Sequence, residues 1–402
     1  MKLKLTALLI IATTTLTCTS GVQQNSVQKN PAPENSRYPF LYSSSDALFM
    51  SWLVKEHDQN TLQFAKFNTN GWSSPQTIAT DSAWFVNWAD FPSIVAHNGN
   101  PIAAHWLNKR EGGPYAYDVN ISMTTPGNDW RAPIVPHLDS TATEHGFVSM
   151  VPWDESTILA VWLDGRRTAN RSENDYYNIE KAMTLRGAFI TTDGEVKETF
   201  LIDEAVCDCC QTSLVRTQKG AIVAYRNRTD KEIRDIKISR FDGKAWSNPQ
   251  LVHQDDWKIG ACPVNGPSIV AENNMIAVAW HTGANNSPTA KAAISTDQAL
   301  NFSEPIVLNN DTSIGRLDAV LHNEQLYVSW IEETPNKPVL RLKSINSEGQ
   351  LINDLIIDEV EKSRKTGFPR MARYQDNLIF AWTKPDSATT SIITKRVPLA
   401  DL

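Results

Sequence analysis

Seven short apolar runs, most ending in an aromatic residue, recur along this chain at nearly constant spacing. They are Leu48 to Leu53, Ile102 to Leu107, Ile158 to Leu163, Ala221 to Tyr225, Ile276 to Trp280, Leu326 to Ile331 and Leu378 to Trp382. Their aromatic markers, Trp52, Trp106, Trp162, Tyr225, Trp280, Trp330 and Trp382, lie 54, 56, 63, 55, 50 and 52 residues apart. A repeat of that length made of strand-like segments is the signature of a propeller, in which each repeat builds one blade. A second apolar segment and a tight turn precede each run, and the Asn98-Gly99 pair before Ile102 is a strong hairpin signal. A third strand alternates in character, as in Leu62 to Phe67 and Ile236 to Phe241. The turn that follows recurs as Gly71-Trp72-Ser73-Ser74-Pro75, Asp129-Trp130-Arg131-Ala132-Pro133, Ala245-Trp246-Ser247-Asn248-Pro249 and Asn301-Phe302-Ser303-Glu304-Pro305.

These units predict an all-β fold, a β-propeller of four-stranded antiparallel blades. Seven blades are favoured by the count, and six would require one unit to be something else. The last unit has no convincing fourth strand after Val397, so it stays three-stranded or borrows one from the polar N-terminal tract. One domain over 37–402 accounts for the body of the chain. A formal charge of −7 and the absence of a basic run exclude a nucleic-acid surface. The N-terminus reads Met1-Lys2-Leu3-Lys4 and then an apolar segment from Leu5 to Ala12, too short to span a bilayer and ordered like a secretory signal. Residues 1–17 are therefore expected to be a signal peptide and 18–36 a polar tether.

The leader resembles a bacterial lipoprotein signal ending at Cys18, with Thr15 and Thr17 in the positions before it. The resemblance implies lipidation of Cys18 and a place in the bacterial cell envelope, on the outer membrane or in the periplasm; an unlipidated chain would be secreted. Without Cys18, four cysteines remain: Cys207, Cys209 and Cys210 within four positions, and Cys262. An even number in an oxidising compartment predicts two disulfides, with Cys262 bonded to Cys209 or Cys210 and Cys207 taking the other.

The stretch Ser295-Thr296-Asp297-Gln298-Ala299-Leu300-Asn301-Phe302 resembles the Asp-box turn of bacterial sialidases, with Ala299 for the usual Gly and Asn301 for the usual Thr. Gly367-Phe368-Pro369-Arg370 is similar to that family's Arg-Ile-Pro strand. The body thus resembles the sialidase-like propeller superfamily, whose catalytic members have six blades. The resemblance implies a carbohydrate ligand and glycoside hydrolysis, with no cofactor.

In a propeller, the loops entering the innermost strands and those after the second strands share one face. That face collects the unusual residues. Sialidase-type hydrolysis there would use Arg166, Arg234, Arg316 and Arg370 to clamp a carboxylate. Asp164 (or Asp90) would be the acid, Glu232 the base and Tyr225 the nucleophile, with Tyr374, Tyr176 and Tyr177 as other tyrosines in range. Trp88, Asp90, His145 and His281 would complete the substrate contacts. Two other readings use the same face: a soft-metal site of the cysteines with His145 or His281, and a non-catalytic platform that stacks glycans on Trp84, Trp88 and Trp257.

Overall fold

The computed structural model describes residues 30–402 except 45, 46 and 176. The leader and Cys18 lie outside the described residues. Seven antiparallel sheets follow one another: blade 1 over 36–81, blade 2 over 93–123, blade 3 over 145–206, blade 4 over 213–251, blade 5 over 268–307, blade 6 over 312–359 and blade 7 over 370–398. The described helical segments are three-residue 3-10 turns. The chain is a seven-bladed β-propeller.

All seven aromatic markers fall in second strands, as their spacing predicted. Trp52 lies in Ala47–Glu56, Trp162 in Thr157–Asp164, Tyr225 in Gly220–Arg226, Trp280 in Met275–Thr282 and Trp330 in Gln325–Glu333. Each marker is buried between sheets. A buried indole N–H or phenol O–H needs an acceptor; blades 3 to 6 supply one, whereas Trp52 Nε1 of blade 1 is buried without one. Trp162 Nε1 donates to Asp164 Oδ2 at 3.0 Å, Trp330 Nε1 to Glu332 Oε2 at 3.0 Å, Trp280 Nε1 to Asp255 Oδ2 at 2.7 Å and Tyr225 Oη to Asp203 Oδ2 at 2.7 Å. What all seven positions share is an aromatic that fills the core.

The turns repeat as well. Ser73, Ser247 and Ser303 each accept a bond at the hydroxyl from the amide of Lys66, Arg240 or Ile294, at 3.1, 3.0 and 3.1 Å. In the Asp-box turn, Asp297 Oδ1 accepts from the amides of Leu300 and Asn301 at 3.1 and 2.9 Å. Ala299 there sits at φ +61°, which explains why glycine suits that position.

Blades 3 to 6 have four strands. In blade 1 the outer position is shared by Gly71–Trp72 and Gln76–Asp81, both paired to the third strand. Blade 2 has three strands, and isolated bridges from Trp130 and Ile134 stand in for the fourth. Blade 7 remains three-stranded. Beside its last strand run residues 30–35, where Asn30 Nδ2 donates to the Ile392 carbonyl at 2.5 Å and the Asn35 amide to that of Thr390 at 2.9 Å. Each innermost strand touches the next, and that of blade 7 touches that of blade 1. The ring thus closes by packing around a central cavity of about 600 Å³.

Candidate functional site

The face chosen from the sequence does collect the unusual side chains, but they do not converge on one pocket. Arg166 grips Asp164 with Nε at 2.6 Å and Nη2 at 2.8 Å, and reaches Asp139 at 3.2 Å. Arg316 spends its guanidinium on the carbonyls of Lys362, Ser363 and Gly367 at 3.0 to 3.1 Å, with Trp88 beneath it at 4.9 Å. Arg370 Nε lies 3.2 Å from Asp318. Arg234 holds Glu232 through Nε at 3.2 Å and Nη2 at 2.6 Å. Each proposed clamp is engaged by the protein itself. No carboxylate-binding cluster forms among the described residues.

The three residues assigned to chemistry are likewise structural. Tyr225 is wholly buried and occupies the place that tryptophan takes in the other blades. Asp164 is equivalent to Glu332, since each accepts its blade's indole N–H and an arginine, Arg166 for one and Arg341 at 2.9 Å for the other. Glu232 sits in a fork of two guanidiniums, with Arg228 Nη2 at 2.8 Å. The stacking surfaces are also covered. Trp84 packs on Trp106, Trp257 on His281 and Arg226, and Trp88 on Phe368 at 5.6 Å.

His145 Nε2 bonds Asp139 Oδ2 at 3.1 Å and its ring stacks on His137 at 3.8 Å. His281 Nδ1 faces Ser313 at 3.2 Å. Both histidines are occupied away from the cysteines. Asp90 accepts from the Phe147 amide at 2.7 Å and from Tyr117 Oη at 3.2 Å. Glu144 Oε1 lies closer to the same Oη, at 2.5 Å, and the single phenol proton serves one carboxyl at a time. Burial pushes Asp90 up to about 7 and Glu144 up to about 8. Asp90 was named from the sequence, but its meeting with Tyr117 and Glu144 was not legible there, because the three come from separate loops and strands and share no motif.

The cysteines make the densest group. Cys207 is at the core: its Sγ lies 3.8 Å from that of Cys209 and 3.7 Å from that of Cys210, and the three form one potential ligand set. Cys262, on the loop entering blade 5, lies outside that set. All four thiols are free, so the two disulfides expected from parity are not formed here. Cys207 and Cys210 are buried and Cys262 is exposed.

The local backbone is built to hold this group. The Cys207 amide donates to the Arg226 carbonyl at 3.0 Å, and on the other side the Arg234 amide donates to the Trp257 carbonyl at 2.9 Å. The segment 226–235 is thereby pinned between the loops entering blades 4 and 5. Gln211 ties the same two loops by accepting from the Gly266 amide at 3.0 Å. Gly266 is required there, because a Cβ would lie 2.1 Å from the Gln211 carbonyl oxygen. Val264 at φ +52° and Glu232 at φ +58° hold strained conformations on either side.

Electrostatics completes the picture. Arg226 is buried, and its guanidinium donates only to carbonyl oxygens of Arg234, Asn265 and His281 at 2.6 to 3.0 Å. A buried cation without a counter-charge is costly. The Arg226 charge favours the ionised form of Cys207 and Cys210. Arg234 points its remaining Nη1 at Cys207 Sγ, 3.2 Å away. Burial opposes ionisation of Cys207, yet hydrogen bonds from Cys209 and Cys210 and the charges of Arg234 and Arg226 outweigh it and hold the thiol well below its usual range.

No protein family matches this sequence, and no curated protein matches it either. Solved structures similar to it share the fold at low identity. A protein of unknown function from Dyadobacter fermentans DSM 18053 aligns over 92% of this chain and 96% of its own, at 11% identity and TM-score 0.51. A puromycin hydrolase aligns over 93% of this chain and 56% of its own, at 10% identity and TM-score 0.53. A Hadza microbial sialidase aligns over 92% and 66%, at 12% identity and TM-score 0.47. The class these comparisons define is the β-propeller, with sialidases among the neighbours.

Proposed function

We propose that this protein binds one thiophilic d10 metal ion, of the Zn(II) or Cu(I) kind, at Cys207, Cys209 and Cys210 on the channel-mouth face. One observation carries the reading: the sulfur separations of 3.7 and 3.8 Å around Cys207. Ligands about 2.3 Å from a tetrahedral ion sit about 3.8 Å from one another, whereas bonded sulfurs sit at about 2.0 Å. The Arg234 guanidinium, 3.2 Å from Cys207 Sγ, supports the same conclusion by favouring thiolate. Purified full chain, reduced and stripped with chelator, should rebind one equivalent of metal and protect its thiols from alkylation. Four thiols equally reactive with and without metal, or two disulfides in the unreduced protein, would overturn the reading.

Glycoside hydrolysis stands as a second reading, favoured by the Tyr117–Glu144 contact with Asp90 alongside. Release of 4-methylumbelliferone from sialoside or neutral glycoside substrates, lost in Tyr117→Phe, would support it. The engaged arginines make an acidic sugar the weaker substrate class. We also propose that the chain is exported and lipid-anchored at Cys18, supported by the charged-then-apolar leader. Cys18→Ser should then move the protein from the membrane to the soluble fraction.

A further inference from the structure

The turn that carries three thiols is also arranged for chemistry that needs no ion. Cys207 and Cys210 are each 1% exposed, whereas Cys209 is only partly covered. A reagent arriving from solvent therefore meets Cys209 first. The sulfur of Cys207 is in contact with it, 3.8 Å away. Bonded sulfurs sit at about 2.0 Å, so closing this pair takes a movement of about 2 Å, within reach of side-chain rotation. Cys209 and Cys210 are neighbours in sequence, and a bond between them would strain the peptide that joins them.

The surroundings hold the two sulfurs together. The Cys207 amide donates to the Arg226 carbonyl at 3.0 Å. Asp208, the residue between the two cysteines, accepts from Arg171 Nη1 at 2.8 Å and from the Met183 amide at 3.4 Å. Arg234 Nη1 donates to Cys207 Sγ at 3.2 Å, where it stabilises negative charge on an attacking sulfur.

We infer that Cys207 and Cys209 form a dithiol that reduces small disulfides, with Cys209 taking up the incoming disulfide and Cys207 resolving it. A small disulfide suits the partly covered position of Cys209. In the first step Cys209 attacks one sulfur of R–S–S–R. The Cys209–S bond forms, the S–S bond of the reagent breaks, and one R–SH leaves with the Cys209 proton. In the second step Cys207 attacks the Cys209 sulfur of the mixed disulfide. The Cys207–Cys209 bond forms, the bond to R–S breaks, and a second R–SH leaves with the Cys207 proton. Two protein thiols are oxidised, one disulfide is reduced, and Cys210 stays a thiol. The activity does not depend on the metal reading, but the two share their sulfurs. Closing the bond removes two of three donors, so oxidation expels a bound ion.

The test uses the full chain with Cys18→Ser and Cys262→Ser, two positions outside the turn, so that three thiols remain; a thermal melt checks the fold. Reduced and metal-free, it is treated with glutathione disulfide, alkylated with iodoacetamide and weighed by intact mass spectrometry. It should lose two thiols and retain no glutathione. Adding Cys207→Ser should trap one glutathione on Cys209, and adding Cys210→Ser should leave the outcome unchanged. Adding Cys209→Ser should slow thiol loss by about tenfold or more. Glutathione retained on the three-thiol chain, or trapped in the Cys210→Ser chain, would overturn the inference, and neither result depends on a Cys207 variant. Wild type loaded with Zn(II) should release it in step with thiol loss, read by a colorimetric chelator. Zn(II) binding without any disulfide exchange in the metal-free chain would overturn this inference and leave the metal reading standing. Exchange without metal binding would do the reverse.

Discussion

Arg166 on blade 3 and Arg234 on blade 4 occupy the same loop of neighbouring repeats, and each grips a carboxylate two residues earlier. Their remaining N–H groups part company. Arg166 reaches a second carboxylate, Asp139, at 3.2 Å, and with Arg186 near Asp164 the two acids face two guanidiniums. Arg234 reaches a sulfur, Cys207, at 3.2 Å. The blade-3 cluster is closed, with every charge answered by the protein. In the blade-4 cluster the third partner of Arg234 is a thiol, which carries an answering charge only when ionised. Identical local chemistry serves as a joint in one place and as a receptor in the other, and the difference is set by the third partner, not by the arginine.

The sharpest way to break that comparison is to remove the third partner on each side. Cys207→Ser should lower metal affinity by about a thousandfold, read by chelator competition, because it deletes the sulfur nearest to both of its neighbours. Asp139→Asn should leave metal affinity unchanged. If both variants bind metal alike, the two clusters do not differ as argued. Next in size, Asp164→Asn should cost about 3 kcal/mol of stability in urea unfolding, at the low end for a broken buried pair because Arg166 is partly exposed. Its metal stoichiometry should remain that of the wild type.

A smaller effect is expected from pH. Asp164 is held below its usual value: burial pushes the other way, but Arg166, His145 and Trp162 outweigh it. Its contribution is present above the unfolded carboxylate pKa and is lost as pH falls through the depressed one. Glu144, raised to about 8 by burial and by the Asp90 charge, has the opposite sign. The folded state binds its proton more tightly, so stability declines as pH rises from about 4 towards 8. Glu144→Gln should flatten melting temperature across that window, and Asp164→Asn should flatten it on the acid side. A Glu144→Gln protein with the wild-type profile would refute the assignment. Smallest of all, Ser247→Ala should cost about 1 kcal/mol by removing one turn bond, with no effect on metal.

The framework was readable in the chain because the same physical demand recurs in every blade. A core-filling aromatic had to appear at each second strand, so Trp162, Trp280 and Trp330 announced themselves by spacing. That regularity also misled. Tyr225 looked chemical for its phenol, yet it answers the same demand with Asp203 as acceptor. The arginines were located on the right face, but their partners come from other loops, such as Asp139 for Arg166 and the 362–367 carbonyls for Arg316. Spacing within a segment carries no signal for these. The cysteines were legible as a cluster and as a link between blades 4 and 5. Their bonding state was not, because parity counts thiols without measuring how far apart the fold will hold them.

Blade 7 ends at three strands, and the ring is closed only where residues 30–44 lie along it. Contacts across that seam join positions as far apart as Asn30 and Ile392, 362 residues distant in sequence. Closing so long a loop is slow and its entropy must be met before any contact forms. The seam is therefore the junction of the ring with the largest loop-closure cost. Whatever pulls on the chain ahead of Asn30 pulls on this junction directly, and the blades that carry the thiols stand on the far side of the ring from it. The propeller has a built-in seam, placed where opening it disturbs the cysteine cluster least.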